Sequence, residues 1–340
     1  MGLSIKSVPA LPAQTAFFAR LRGHLPAHLS LVDEVADVLQ LSTDSTYRRL
    51  RGETALSLDE ATRLAQHFQL PLTDLLTSPS ESVTFQRMSI NAQPGGISDY
   101  LRYTASYFGQ AAAANAHISY AAKDIPAIYH FLFPELARFK VFFWLKTIKT
   151  VEAFSNLRYA AQHIPNEVIA AGAAAAEQYL RMPTVEIWND ETVNSTLRQI
   201  EYYHDAGLYE QPADVPRLLD TLEALVQHIQ RQAIAGRTLR HNLEVAPYQL
   251  YFNEILLLDN TILTAAEGHD RVLVSYNGMD YLHTTDASFC TEVKQWMRVQ
   301  TEKSTLISQV SEKERNRFFN KIYARIEEQR RKLRQGHRAP

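Results

Sequence analysis

Arg48, Arg49 and Arg51 stand close together, just after Thr43, Asp44, Ser45 and Thr46. A guanidinium can grip a phosphate or fork onto the two major-groove acceptors of guanine, and short hydroxyl side chains bond phosphates or base edges. Arginines and hydroxyls grouped in this way suit contact with a nucleic acid. Arg-Arg pairs also occur on ordinary solvated helix faces, so the elements that carry these residues decide between the two readings.

Those elements are short helices. Phe17, Phe18, Leu21 and Leu25 recur at helical spacing, and Val35, Ala36 and Leu39 mark one face of a second helix over Leu31–Leu39. Ser42 sits where a helix N-cap belongs, which predicts a third helix from Thr43 to Arg51, closed by Gly52. Ser57 with Glu60 is a capping box that opens a fourth helix, with Leu58, Ala61, Leu64, Ala65 and Phe68 on its apolar face. Pro71 opens a fifth, carrying Leu72, Leu75 and Leu76. On the third helix Tyr47 and Leu50 are expected to face inward. Ser45, Arg48 and Arg49 then lie on the opposite face, with Asp44, Thr46 and Arg51 at its edges.

The run Leu31 to Ser42, followed by Tyr47-Arg48-Arg49-Leu50-Arg51-Gly52-Glu53, resembles the Cro/C1-type (lambda-repressor-like) helix-turn-helix, over residues 13–76. In that family Ala36 corresponds to the small residue that lets the two helices approach, and Gln40 stands where a glycine is usual. The resemblance implies a recognition helix over Thr43–Arg51. Its implied DNA contacts are Thr43, Asp44, Ser45, Thr46, Arg48, Arg49 and Arg51, and the implied partner is a double-stranded operator. Charge does not add to this, because residues 1–78 carry seven Lys/Arg against eight Asp/Glu.

The rest of the chain supplies context. It has 340 residues, a formal net charge of −2, 46% apolar and 21% charged residues, and one cysteine, Cys290. That composition excludes wholesale disorder and a disulfide framework, and it fits a reducing, cytoplasmic setting. No apolar run reaches the length of a membrane span, and no secretory signal is read at the start. There is no Gly-x-Ser-x-Gly elbow, and Gly95-Gly96 lacks the lysine of a phosphate loop. Glu186 and Asp190, four apart, read as solvated helix carboxylates. No enzyme, cofactor or metal site is therefore expected.

The expected fold class is mainly α: an N-terminal five-helix domain, a long helical middle region, and a small β-meander with helices at the C-terminal end. The expected divisions are 1–78 for the helix-turn-helix domain, 79–97 for a linker, 98–243 for a helical domain, 244–328 for an α+β sensor and dimerisation domain, and 329–340 for a basic tail. The aromatic segments from Tyr129 to Trp144 read as core or as a ligand cavity, and Phe318, Ile322 and Ile326 as an apolar stripe that packs on its own domain or on a partner subunit. The leading expectation is a one-component transcription regulator, a homodimer that responds to a small-molecule or peptide effector. The alternative is an interaction scaffold whose N-terminal helices contact protein.

Overall fold

The computed structural model describes residues 12–25, 29–68, 83–88, 96–255 and 259–336. The chain divides into two compact units, Met1–Thr84 and Phe85–Pro340.

The first unit contains α1 (Pro12–His24), α2 (Leu31–Leu39), α3 (Thr43–Leu50) and α4 (Leu58–His67). The caps foreseen in the sequence form. Ser30, Ser42 and Ser57 each accept a backbone N–H of the following first turn, and Glu60 returns a bond to the Ser57 N–H. The core joins Phe17, Phe18 and Leu21 of α1 to Leu31, Val35 and Leu39 of α2 and Leu64 and Ala65 of α4. Leu58 stands outside it, 76% exposed. The expected fifth helix, Pro71 to Leu76, lies outside the described residues, as does most of the expected linker.

The second unit is built on a nine-stranded mixed sheet, in the order β1-β8-β7-β6-β2-β3-β5-β4 with β9 added to β5. The strands are β1 (Gln86–Met88), β2 (His117–Ala122), β3 (Thr184–Trp188), β4 (Arg237–Arg240), β5 (Leu243–Phe252), β6 (Thr261–Ala265), β7 (Arg271–Asn277), β8 (Asp280–Thr284) and β9 (Thr305–Leu306). The foreseen meander is present as β6–β8. It continues into the parallel strands β2, β3 and β5, two of which come from the stretch read as helical. The division expected at residue 243 therefore falls on the first residue of β5, inside one sheet. Residues 98–243 and 244–328 form one body, because β3 and β5 are hydrogen-bonded neighbours.

Side chains alternate across the sheet as strand geometry requires. Ile118, Tyr120 and Ala122 of β2 enter the large core, which also holds side chains of α5 (Gly96–Ala113), α7 (Pro134–Phe143), α8 (Asn166–Tyr179), α10 (Asp214–Ala235) and α12 (Glu312–Gly336). Ala121, Ile187 and Leu263 face the other way, onto Cys290, Val293 and Met297 of α11 (Ala287–Glu302). The unit also holds the short α6 (Ala127–His130) and α9 (Asn194–Asp205). Two open readings resolve here and one expectation changes. Phe318, Ile322 and Ile326 are each at most 1% exposed and belong to this core, so they offer no stripe to a partner. The Tyr129–Trp144 rings are likewise mostly core, with Phe139 and Phe142 packed edge-on against Tyr159 and Tyr203. The expected basic tail begins as the end of α12, where Arg330 is held by Asp220, Glu223 and Glu327 at 2.6–2.8 Å.

Glu186 is the largest departure from the sequence reading. It lies on β3 with no exposure to solvent. Tyr129 and Tyr179 donate to its Oε1 at 2.9 and 2.8 Å, and Trp188 Nε1 and Tyr248 donate to its Oε2 at 2.9 Å each. Burial pushes its carboxyl above the ordinary range while the four donors pull the other way. The cage ties β3 to α6, α8 and β5.

Candidate nucleic-acid interface

The interface is built from the bottom of α2 upward. α2 ends at Gln40, whose φ of 56° is left-handed, the conformation glycine adopts without strain. That turn closes with Gln40 N–H on the Asp37 carbonyl and Leu41 N–H on the Ala36 carbonyl, and Ser42 then caps α3. The result is two helices joined by a tight turn, with α3 starting at Thr43.

Structure redistributes the expected contact residues. Thr46, expected at the edge of the outward face, is fully buried, and its hydroxyl donates back to the Ser42 carbonyl at 3.1 Å. Its methyl group can then face inward with no polar atom unsatisfied. Tyr47, expected inward, is 47% exposed. The inward face is therefore Thr46 and Leu50, one position away from the expected pairing.

Arg49 also leaves the list of free contacts. Its side chain is only 16% exposed, and Nε and Nη2 both bond Glu60 Oε1, at 3.2 and 2.7 Å. Burial works against the charge on Glu60. The Arg49 and Ser57 hydrogen bonds and the guanidinium charge together outweigh it and hold the carboxyl below its ordinary range. Arg49 thus fastens α3 to α4.

Thr43, Asp44, Tyr47, Arg48 and Arg51 remain outward, with Ser45 partly covered beside Ser42. Asp44, Tyr47, Arg48 and Arg51 have the i, i+3, i+4, i+7 spacing of one helix face. Arg48 rests on Asp44 at 3.2 Å and Arg51 on Glu53 at 3.0 Å, all four side chains more than half exposed. Such exposed pairs are weak and exchange readily for phosphate or base acceptors.

One supporting residue escaped the sequence reading. Gln14 of α1 is 8% exposed; its amide donates to the Arg49 and Thr54 carbonyls at 2.7 and 2.8 Å, and its oxygen accepts the Leu56 N–H at 2.9 Å. It satisfies the backbone just after α3 and sets where that helix ends. The signal was available, since Gln14 stands at i−3, i−4 and i−7 from Phe17, Phe18 and Leu21, the one polar member of an apolar stripe.

The four helices with this turn define a helix-turn-helix-like domain. Residues 20–124 match the family model of the BetR domain, a helix-turn-helix-like domain associated with DNA binding. The match runs through α2 and α3 and continues over β1 and α5 to the loop after β2. No curated protein and no solved structure matches the chain. Among the described residues, no helix is long and apolar enough to cross a membrane.

Proposed function

We propose that this chain is a transcription regulator of the Cro/C1 type. Its first unit enters the major groove of operator DNA with α3, and its second unit senses a signal and holds two copies together as a homodimer. The observation that carries the reading is the single outward stripe of Tyr47, Arg48 and Arg51 on a helix whose other side is pinned by Thr46, Arg49–Glu60 and Gln14. A rigidly held helix with two outward guanidinium groups suits base and phosphate contact. The reading assigns the chain no catalytic role.

With seven cations against eight carboxylates in residues 1–78, affinity must rest on local contacts and on two-fold avidity. The test is selection of bound duplexes from a random pool, followed by gel shift of the whole chain across a salt series. Operator binding that weakens steeply with salt and is lost in Arg48→Ala supports the reading. A chain that selects no duplex at low salt turns the outward stripe into a protein-contact surface instead, a reading the near-neutral charge favours.

A further inference from the structure

Within the second unit a cavity of about 50 Å³ lies between α5 and the sheet. α5 lines it with Leu101, Thr104 and Phe108, the strands with Tyr120 and Tyr281, and the turn between β7 and β8 with Met279. None of the described residues that line it is charged. Moving an ion into such surroundings is strongly unfavourable, so the space selects for a neutral guest. By the same measure one water needs about 10–15 Å³, so the cavity takes roughly four such groups, and the flexible Met279 side chain can give a little more.

The tyrosine hydroxyls identify the polar atom of that guest. Three of them at this cavity are bonded within the protein: Tyr100 donates to the Met279 carbonyl at 2.7 Å, Tyr179 donates to Glu186, and Tyr107 pairs with the Thr264 hydroxyl. Tyr120 and Tyr281 differ. They are 3% and 8% exposed, and their hydroxyls share one hydrogen bond of 3.4 Å. Each phenol brings one proton, and a single shared bond uses only one of the two. Burial holds both phenols above their ordinary value, so they remain neutral donors. A buried donor with a spare proton on an apolar wall calls for an acceptor from outside the chain.

We propose that this cavity binds a small, uncharged compound whose carbonyl oxygen accepts the spare proton of the Tyr120–Tyr281 pair. It is the effector site of the regulator, a role that rests on the function proposed above; the binding itself does not. The BetR-domain match, residues 20–124, places α5 and Tyr120 in the same matched segment as α3, which fits a module that couples the two.

The test is saturation-transfer NMR on the full chain in the absence of DNA, with acetone as probe and acetate, which has the same number of heavy atoms, as its charged counterpart. Transfer is expected to the ketone and not to the carboxylate. Tyr120→Phe combined with Tyr281→Phe, which leaves neither phenol proton for the guest, should weaken ketone binding about tenfold, the loss of one hydrogen bond. Thr104→Leu, which fills the space from a helix position whose hydroxyl bonds only its own helix, should abolish transfer. Circular dichroism establishes that each variant is folded, and Thr104→Leu carries the test if the double variant does not fold. The proposal is overturned by no transfer to the ketone, by equal transfer to ketone and carboxylate, or by transfer unchanged in Thr104→Leu. Because no DNA is present, ketone binding by a chain that selects no duplex would keep the site and remove only its regulatory role. Operator affinity unchanged by saturating ketone would remove that role as well.

Discussion

Arg49 and Glu60 form a two-bond contact between α3 and α4, with Nη2 to Oε1 at 2.7 Å, while the same carboxylate caps α4 through the Ser57 N–H. Neighbouring arginines on one helix thus do different work. Arg48 is turned to solvent and Arg49 is part of the frame. Arg49→Ala should lower the stability of the first unit by about 1–2 kcal/mol, because both guanidinium bonds to Glu60 are lost and that carboxylate, 19% exposed, is left without its ion partner. Arg48→Ala should change stability by less than about 0.5 kcal/mol and still remove operator binding. Calorimetry of both single variants, paired with gel shifts, checks the separation.

The depressed carboxyl of Glu60 makes part of that stability depend on pH. A carboxylate lowered in the folded state contributes fully above its ordinary value of 4.5, and the contribution fades as pH falls through the lower folded value. The difference in unfolding temperature between the natural chain and Glu60→Gln should therefore hold steady from pH 7 downward and shrink below that value. A difference that stays constant into acid would show that the ion pair adds nothing.

Gln40 pays for its left-handed φ of 56° with steric strain between its Cβ and the backbone. Gln40→Gly should raise the stability of the first unit by about 0.5–1 kcal/mol and leave operator affinity unchanged. Thermal unfolding of the whole chain, followed at the first-unit transition, measures it.

At Glu186, glutamine would place an amide N–H₂ against two of the four donors from Tyr129, Tyr179, Trp188 and Tyr248. Glu186→Gln should cost the second unit about 2–4 kcal/mol. Trp188 lies in the cage, so its fluorescence during urea unfolding reports the fall in midpoint directly.

How much of this the sequence disclosed depends on whether each feature leaves a local mark. The caps at Ser42 and at Ser57–Glu60 do, since a cap is a contact within four residues, and the turn-punctuated strands Thr261–Ala265 and Arg271–Asn277 do as well. The central strands do not. His117–Ala122 and Thr184–Trp188 are buried on both faces from Tyr120 and from Glu186 onward, so polar and apolar residues need not alternate there, and the alanines of β2 read as helix. Glu186 looked solvated because two of its four donors, Tyr129 and Tyr248, come from far along the chain. On α3 the face was read one position out, because a threonine that bonds its own helix can be buried where an aromatic ring was expected. Arg49 was grouped with Arg48 for want of any sequence sign that Glu60 would meet it.

The order in which the sheet is assembled bears on how the chain is made. The first unit needs only contacts among neighbouring helices, so it can fold as soon as it leaves the ribosome. β2 pairs with β3 and β6, and β1 waits for β8, about 200 residues further on. During synthesis the nascent chain therefore carries a finished helix-turn-helix while the strands that follow it are still unpaired. A message cut short after the BetR-matching segment would release such a product: a formed α3 followed by an open β-edge prone to self-association.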